Sequence, residues 1–156
     1  QENNGELLTQ LTSIAEWNAY LENAENLNAA LIAKYIPFIE WEELLKHPRL
    51  HWNKELLQIF TTPGLPQFHI WFLVVEHCPE QLLIGSLEDF GSFLTWHQLT
   101  GNISLEYIFR NYDLFPWDYN IIFKRASSSE LEKFLVDKDI PSLHFSVAPN
   151  IFLNSP

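Results

Sequence analysis

The sequence predicts an all-α fold, an α-solenoid-like stack of about five or six short helix pairs. Three observations predict it. Leu31-Ile32, Leu56-Leu57, Leu82-Leu83, Ile108-Phe109 and Phe134-Leu135 recur at intervals of 25, 26, 26 and 26 residues, each inside a short segment of helical character. A second series opens on an aromatic anchor: Trp17-Asn-Ala-Tyr-Leu, Trp41-Glu-Glu-Leu-Leu, Trp96-His-Gln-Leu and, less regularly, Trp117-Asp-Tyr-Asn-Ile. A breaker follows most anchors, and Pro or Gly there ends one helix and lets the next begin. Two short helices per roughly 25 residues cannot bury their apolar faces alone, so the units must stack into one continuous core.

Taken in order, the polar, acidic Gln1 to Glu6 precede an ordered core that runs from about Glu6 to Asn150 in a single domain, 1–156. Trp17 to Leu21 form the first anchor, and Asn28 can cap the helix NAALIAKY. Trp41-Glu-Glu-Leu-Leu ends at His47-Pro48, and Asn53 can cap NKELLQIF. The loop Thr61-Thr-Pro-Gly-Leu-Pro66 interrupts the pattern. Phe68 to Val75 is apolar and β-branched enough to pass for a strand, but reads as a buried helix after a Pro/Gly loop. Pro79 suits the first turn of PEQLLIGSL. Trp96 to Gly101-Asn102, Ser104 capping SLEYIFRNY, Trp117, and Ser128 or Ser129 capping SELEKFLVD follow, and Leu143-His-Phe and Ala148-Pro149 close the series.

Composition bounds the function. Apolar residues make up 47% and aromatic residues 15%, too much apolar surface for a disordered tail. The longest apolar run, Ile70 to Val75, is far short of the roughly 20 residues a membrane helix needs. A net charge of −11 argues against nucleic acid, because phosphate binding needs a basic footprint. From Glu55 to Phe109 there is no Lys or Arg, whereas Glu55, Glu76, Glu80, Glu88, Asp89 and Glu106 all fall there. That interval is either a solvated face or a docking face for a basic partner. The single Cys78 makes no intramolecular disulfide, so a cytoplasmic location is the default. Gln1 is not an initiator and the chain has no Met, so a processed or trimmed start is expected, with any signal peptide already removed.

The clearest unit is Trp41-Glu-Glu-Leu-Leu-Lys-His-Pro-Arg-Leu-His-Trp52-Asn-Lys-Glu-Leu-Leu57. It resembles the short tandem repeats of giant-virus and some bacterial proteins, which follow Trp-x-x-Leu-Ser-x-Asn-Pro-x-Leu-x-Trp-x-x-Glu-Leu-Ile. Leu45 stands where that pattern has Ser, and His47 where it has Asn. Ile103 to Tyr119 looks like a second copy. The resemblance covers about two thirds of the chain. It implies helical-repeat architecture and protein binding, and the family has no shared catalytic residues to carry over.

Little points to chemistry. Glu43, His47 and His51 are spaced four apart, as metal ligands on one helix face could be, but Pro48 disfavours helical geometry at His47. There His47 is better placed to bond the backbone, and no metal or cofactor is expected. His69 and His77 read as edge residues of a packed helix. Cys78 with His77 or His97 is the only nucleophile candidate, and it lies between Glu76 and Glu80, a setting that disfavours the thiolate. The carboxylate pairs Glu42-Glu43, Glu88-Asp89, Glu130/Glu132 and Asp137/Asp139 diverge on a helix and do not face one another as glycoside hydrolysis requires.

Trp17, Trp41, Trp96 and Trp117 read as core anchors. Trp52 and Trp71 fall outside that register and are the aromatic interface candidates. With Glu76, Glu80, Glu88 and Asp89 they make the expected partner-binding set. The resulting expectation is a non-enzymatic, protein-binding domain, an acidic inhibitor (immunity protein or antitoxin) of a basic protein, with its oligomeric state open. The alternatives are a scaffold or recognition module cut from a larger helical-repeat protein, and a hydrolase using unrecognised carboxylates.

Overall fold

A computed structural model describes residues 2–137, and all regular elements among them are helical. They are α1 (Glu2–Asn23), α2 (Ala29–Lys34), α3 (Trp41–Leu45), α4 (Lys54–Ile59), α5 (Gln67–His77), α6 (Glu80–Gly85), α7 (Leu87–Phe90), α8 (Trp96–Asn102), α9 (Leu105–Arg110), α10 (Tyr119–Arg125) and α11 (Ser128–Asp137). Single 3-10 turns lie at Ile36–Phe38 and Gly91–Phe93. The chain gathers into two compact units, Gln1–Phe93 and one that begins at Leu94. The closing elements expected at Asp139, Leu143 and Ala148-Pro149 lie outside the described residues.

The recurrence has a local cause. Asn28, Asn53 and Ser104 each accept the N–H of the residue three positions on, from Leu31, Leu56 and Tyr107. Pro79 opens α6 without a side-chain bond. At α11 the cap is Ser127, not Ser128 or Ser129. Its Oγ accepts from Glu130 N at 3.1 Å and Glu130 Oε1 accepts from Ser127 N at 3.0 Å, a reciprocal capping box. Four residues beyond each opening residue stand Ile32, Leu57, Leu83, Ile108 and Leu131, all buried, and the N–H of each donates to the carbonyl of its opening residue. One buried residue per unit thus sits at the position where a hydrophobic staple closes a helix start.

In the first unit α2 packs on α4 and α3 on α5. The stretches leading into α2 and α4 also meet directly: Leu27 N donates to Arg49 O at 2.9 Å and His51 N to Leu27 O at 2.8 Å, an isolated parallel bridge. The C-terminal half of α1 is held by Trp17 stacked on Tyr35 at 5.6 Å, and by Tyr35 Oη donating to Glu16 Oε2 at 2.9 Å. That hydrogen bond, ahead of burial, pushes the Tyr35 phenol up to about 12. Leu21 O, in the last turn of α1, receives both His47 Nε2 at 3.0 Å and the Arg49 guanidinium, which satisfies a carbonyl the helix itself leaves open. The loop before α5 turns at Gly64, whose φ of 92° suits glycine.

In the second unit α8 packs on α10, and Phe109 of α9 stacks on Phe134 of α11 at 4.6 Å. Arg125 Nη1 donates to Thr100 O at 2.5 Å and Ile103 O at 2.7 Å, tying the end of α10 to the end of α8. Trp117 is buried and its Nε1 donates to Asn111 O at 2.9 Å. Trp96 is only half-buried, stacked on Phe115 and edge-on to Trp117, so it borders the core instead of filling it. Trp17 and Trp41 are buried as expected of anchors.

Asp118 Oδ1 accepts from Asn120 N and Oδ2 meets His97 Nδ1 at 2.9 Å, and the His97 bond is the main reason its carboxyl lies below the ordinary 3.8. Glu130 is held below 4.5 first by the Ser127 N–H. Both folded values lie below the unfolded ones, so this stabilisation is complete above about pH 4.5 and is lost as pH falls through the folded values. In thermal melts at pH 7 and pH 3, the D118N/E130Q double variant is expected to lose less stability on acidification than the parent.

Candidate functional site

The sequence-predicted binding residues all fall in the first unit, and α5 decides which of them can reach a partner. An eleven-residue helix turns its side chains by about 100° per residue, so one stripe of α5 meets the core and the opposite stripe meets water. Ile70, Trp71, Leu73, Val74 and Val75 are buried, while Phe68, His69, Phe72 and Glu76 are exposed. Phe68, Phe72 and Glu76 lie one turn apart in succession. Phe68 is 80% exposed and Phe72 44%.

Trp71 is therefore a correction to the expected set: at 2% exposure it offers a partner no surface. Its ring stacks on Phe93 at 5.3 Å, lies against Phe90 at 5.5 Å and meets Phe60 edge-on at 6.4 Å, and its Nε1 donates to Gln67 Oε1 at 3.1 Å. It falls outside the Trp-anchor spacing because it anchors α5 itself. Trp52 is half-buried and edge-on to Phe60 at 6.4 Å, so part of its ring remains at the surface. Phe68 and Phe72 are the aromatic residues the expectation missed. Glu76 marked the solvent side of the apolar run, and counting back four and eight residues from it reaches both.

The carboxylates are placed unequally. Glu76, Glu80 and Glu88 are exposed, with Glu76 Oε2 3.7 Å from His77 Nε2. Asp89 is exposed but accepts from Lys54 Nζ at 3.1 Å, so a lysine just outside the basic-free interval neutralises one of its acids. Both side chains are more than half exposed, and such a pair adds little stability. On α3, packed against α5, the Glu42 carboxyl is drawn below its usual range first by the Lys46 hydrogen bond at 2.7 Å, with smaller contributions from His69 and His77 of α5. Carboxylates thus lie both on and beside the exposed stripe of α5.

The chemically active candidates are engaged elsewhere. His47 Nδ1 accepts from Arg49 N at 3.1 Å, which leaves Nε2 as the protonated nitrogen that donates to Leu21 O. Both ring nitrogens are committed to the backbone. Among the described residues no group of three His, Cys, Asp or Glu side chains is arranged to hold a metal. Cys78 is buried, and burial pushes its thiol up to about 12. It is expected to resist iodoacetamide at pH 8 in the folded protein and to react fully in urea, as mass spectrometry of the intact chain will record.

In the second unit a groove of about 440 Å³ runs between α9 and α11, floored by Phe109 and Phe134 and edged by Arg110, whose guanidinium is paired with Glu106 at 2.6 Å. Glu106 and Arg110 are paired i,i+4 within α9, and Glu130 is spent capping its own helix. No described helix is long and apolar enough to cross a membrane. Comparison with known proteins matches the chain to no family model, no curated protein and no solved structure.

Proposed function

We propose that the chain is a non-enzymatic protein-binding domain, an acidic inhibitor of the immunity-protein or antitoxin kind, that docks a basic protein through the exposed stripe of α5. The observation that carries this reading is the exposed pair Phe68 and Phe72 in line with Glu76, within a stretch that has no Lys or Arg of its own. Aromatic side chains supply the desolvated centre of an interface, and surrounding carboxylates steer a cationic partner toward it. No nucleic acid, metal or cofactor enters this activity.

The test has two stages. Immobilised parent chain and an F68S/F72S variant are exposed to an extract of the native source, and proteins retained only by the parent are identified by mass spectrometry. Surface plasmon resonance with the purified partner then reads the mechanism: F68S/F72S is expected to raise the off-rate, and charge reversal at Glu76, Glu80 and Glu88 to slow the on-rate and flatten its salt dependence. A salt-independent on-rate untouched by the reversals leaves the acidic stretch as a solvated face and removes the inhibitor reading.

A second reading, a scaffold or recognition module from a larger helical-repeat protein, draws on the buried residue repeated four positions after each helix start and on the resemblance of Trp41 to Leu57 to tandem repeats. It is favoured if further copies of this unit adjoin the chain in its full-length protein and if binding lacks salt dependence.

A further inference from the structure

The first four turns of α1 carry an apolar line that stays exposed among the described residues. Leu7, Leu8, Leu11 and Ile14 are 53%, 64%, 56% and 39% exposed, whereas Trp17, one turn on, is buried against Tyr35. The exposed positions Asn4, Leu7, Leu11, Ile14 and Asn18 are spaced 3, 4, 3 and 4, the spacing by which one helix lays its side chains into another along a shared seam. Their order is nearly symmetrical about Leu11: an Asn lies seven residues to either side, and apolar positions fill the space between. From Leu7 to Ala15 there is no charged residue. Glu6 and Glu16 fall on the sides of the helix turned away from the seam, and Glu16 is held by Tyr35.

We infer that α1 pairs antiparallel with α1 of a second copy of this chain, with Leu11 at the twofold axis. In that register Asn4 meets Asn18 of the second copy, Leu8 meets Ile14 and Leu7 meets Ala15, so the same patch complements itself as a twofold interface requires. A polar Asn at a seam position costs stability but fixes register, and here each end of the seam has an Asn to meet another. Charge selects the occupant. A chain of net charge −11 repels its own copy over most of its surface, and the uncharged stretch 7–15 is where two copies approach without facing carboxylates. A basic helix finds no acidic groups flanking Leu7 to Ile14 to hold it, so this seam is distinct from the α5 stripe. One helix pair covers less than the ~800 Å² per partner of a standard interface, so the dimer is weak.

Sedimentation equilibrium of the full chain is expected to give a monomer–dimer equilibrium with a dissociation constant of about 10–100 μM, tightening as added salt screens the net charge. L11E and L11K are each expected to be monomeric at concentrations where the parent dimerises, and their equimolar mixture to dimerise again. Circular dichroism on each variant checks that its fold is retained. Orientation is read by cross-linking: with oxidised glutathione, mixed N4C and N18C variants form a disulfide between the two different chains, while the buried Cys78 stays out of the reaction. A parent that remains monomeric at 1 mM, a dimer unaffected by L11E, or cross-links formed only between identical variants overturns the inference. The α5 reading is independent of these results, since monomeric L11E retains Phe68, Phe72 and Glu76 for a partner-binding test.

Discussion

Replacing Trp71 with Ala is expected to destabilise the first unit by about 3–5 kcal/mol, the cost of emptying a buried aromatic site whose walls cannot collapse. The walls are rings: Phe60, Phe90 and Phe93 all lie within 6.4 Å of the Trp71 ring, and Phe60 also carries Trp41 and Trp52 edge-on. The truncation therefore loosens contacts that reach from α3 to the turn after α7, and Gln67 loses the indole N–H that its side-chain oxygen accepts. Trp71→Phe keeps most of the apolar area and is expected to cost less than half as much. Urea titration followed by far-UV circular dichroism measures both. A W71A variant as stable as the parent places this ring at the surface and returns it to the candidate interface.

Arg125→Met is expected to cost about 1.5–3 kcal/mol in the second unit, the range for hydrogen bonds made by a charged donor. Methionine keeps an unbranched apolar stem, so what is lost is the guanidinium that serves Thr100 O and Ile103 O. Those carbonyls belong to the end of α8, where a positive charge also opposes the negative end of the helix. Arg125→Lys is expected to recover part of the loss, because an ammonium keeps the charge but is not held in the plane that aims Nη1 at both carbonyls. Tryptophan fluorescence in a background with Trp17, Trp41, Trp52 and Trp71 each replaced by Phe leaves Trp96 and Trp117, edge-on at 5.4 Å, to report unfolding of this unit during the same titration.

Sequence reading reached the helices and their starts because the forces that set them act within a few residues. An Asn or Ser oxygen accepting the N–H three positions on, or a Pro that cannot continue a helix, is a property of four or five consecutive residues. Even the run from Phe68 to Val75, which could have been a strand, was legible as helix from the Pro/Gly loop before it. Its phase was harder to see. Six successive apolar residues carry no internal mark of which side faces water, so the spacing of the Trp anchors points Trp71 outward, whereas the fold buries it and exposes Phe68 and Phe72.

The sequence by itself determined composition, net charge, the helix starts and the lack of basic residues between Glu55 and Phe109. Tertiary structure alone decided which apolar faces of the described residues are buried, that Lys54 crosses 35 positions of chain to neutralise Asp89, that His47 and Arg49 close the end of α1, and that Leu7, Leu11 and Ile14 are exposed. The physical reason is range: a cap is satisfied by its own neighbours in the chain, whereas burial and ion pairing depend on groups that only folding brings within contact distance.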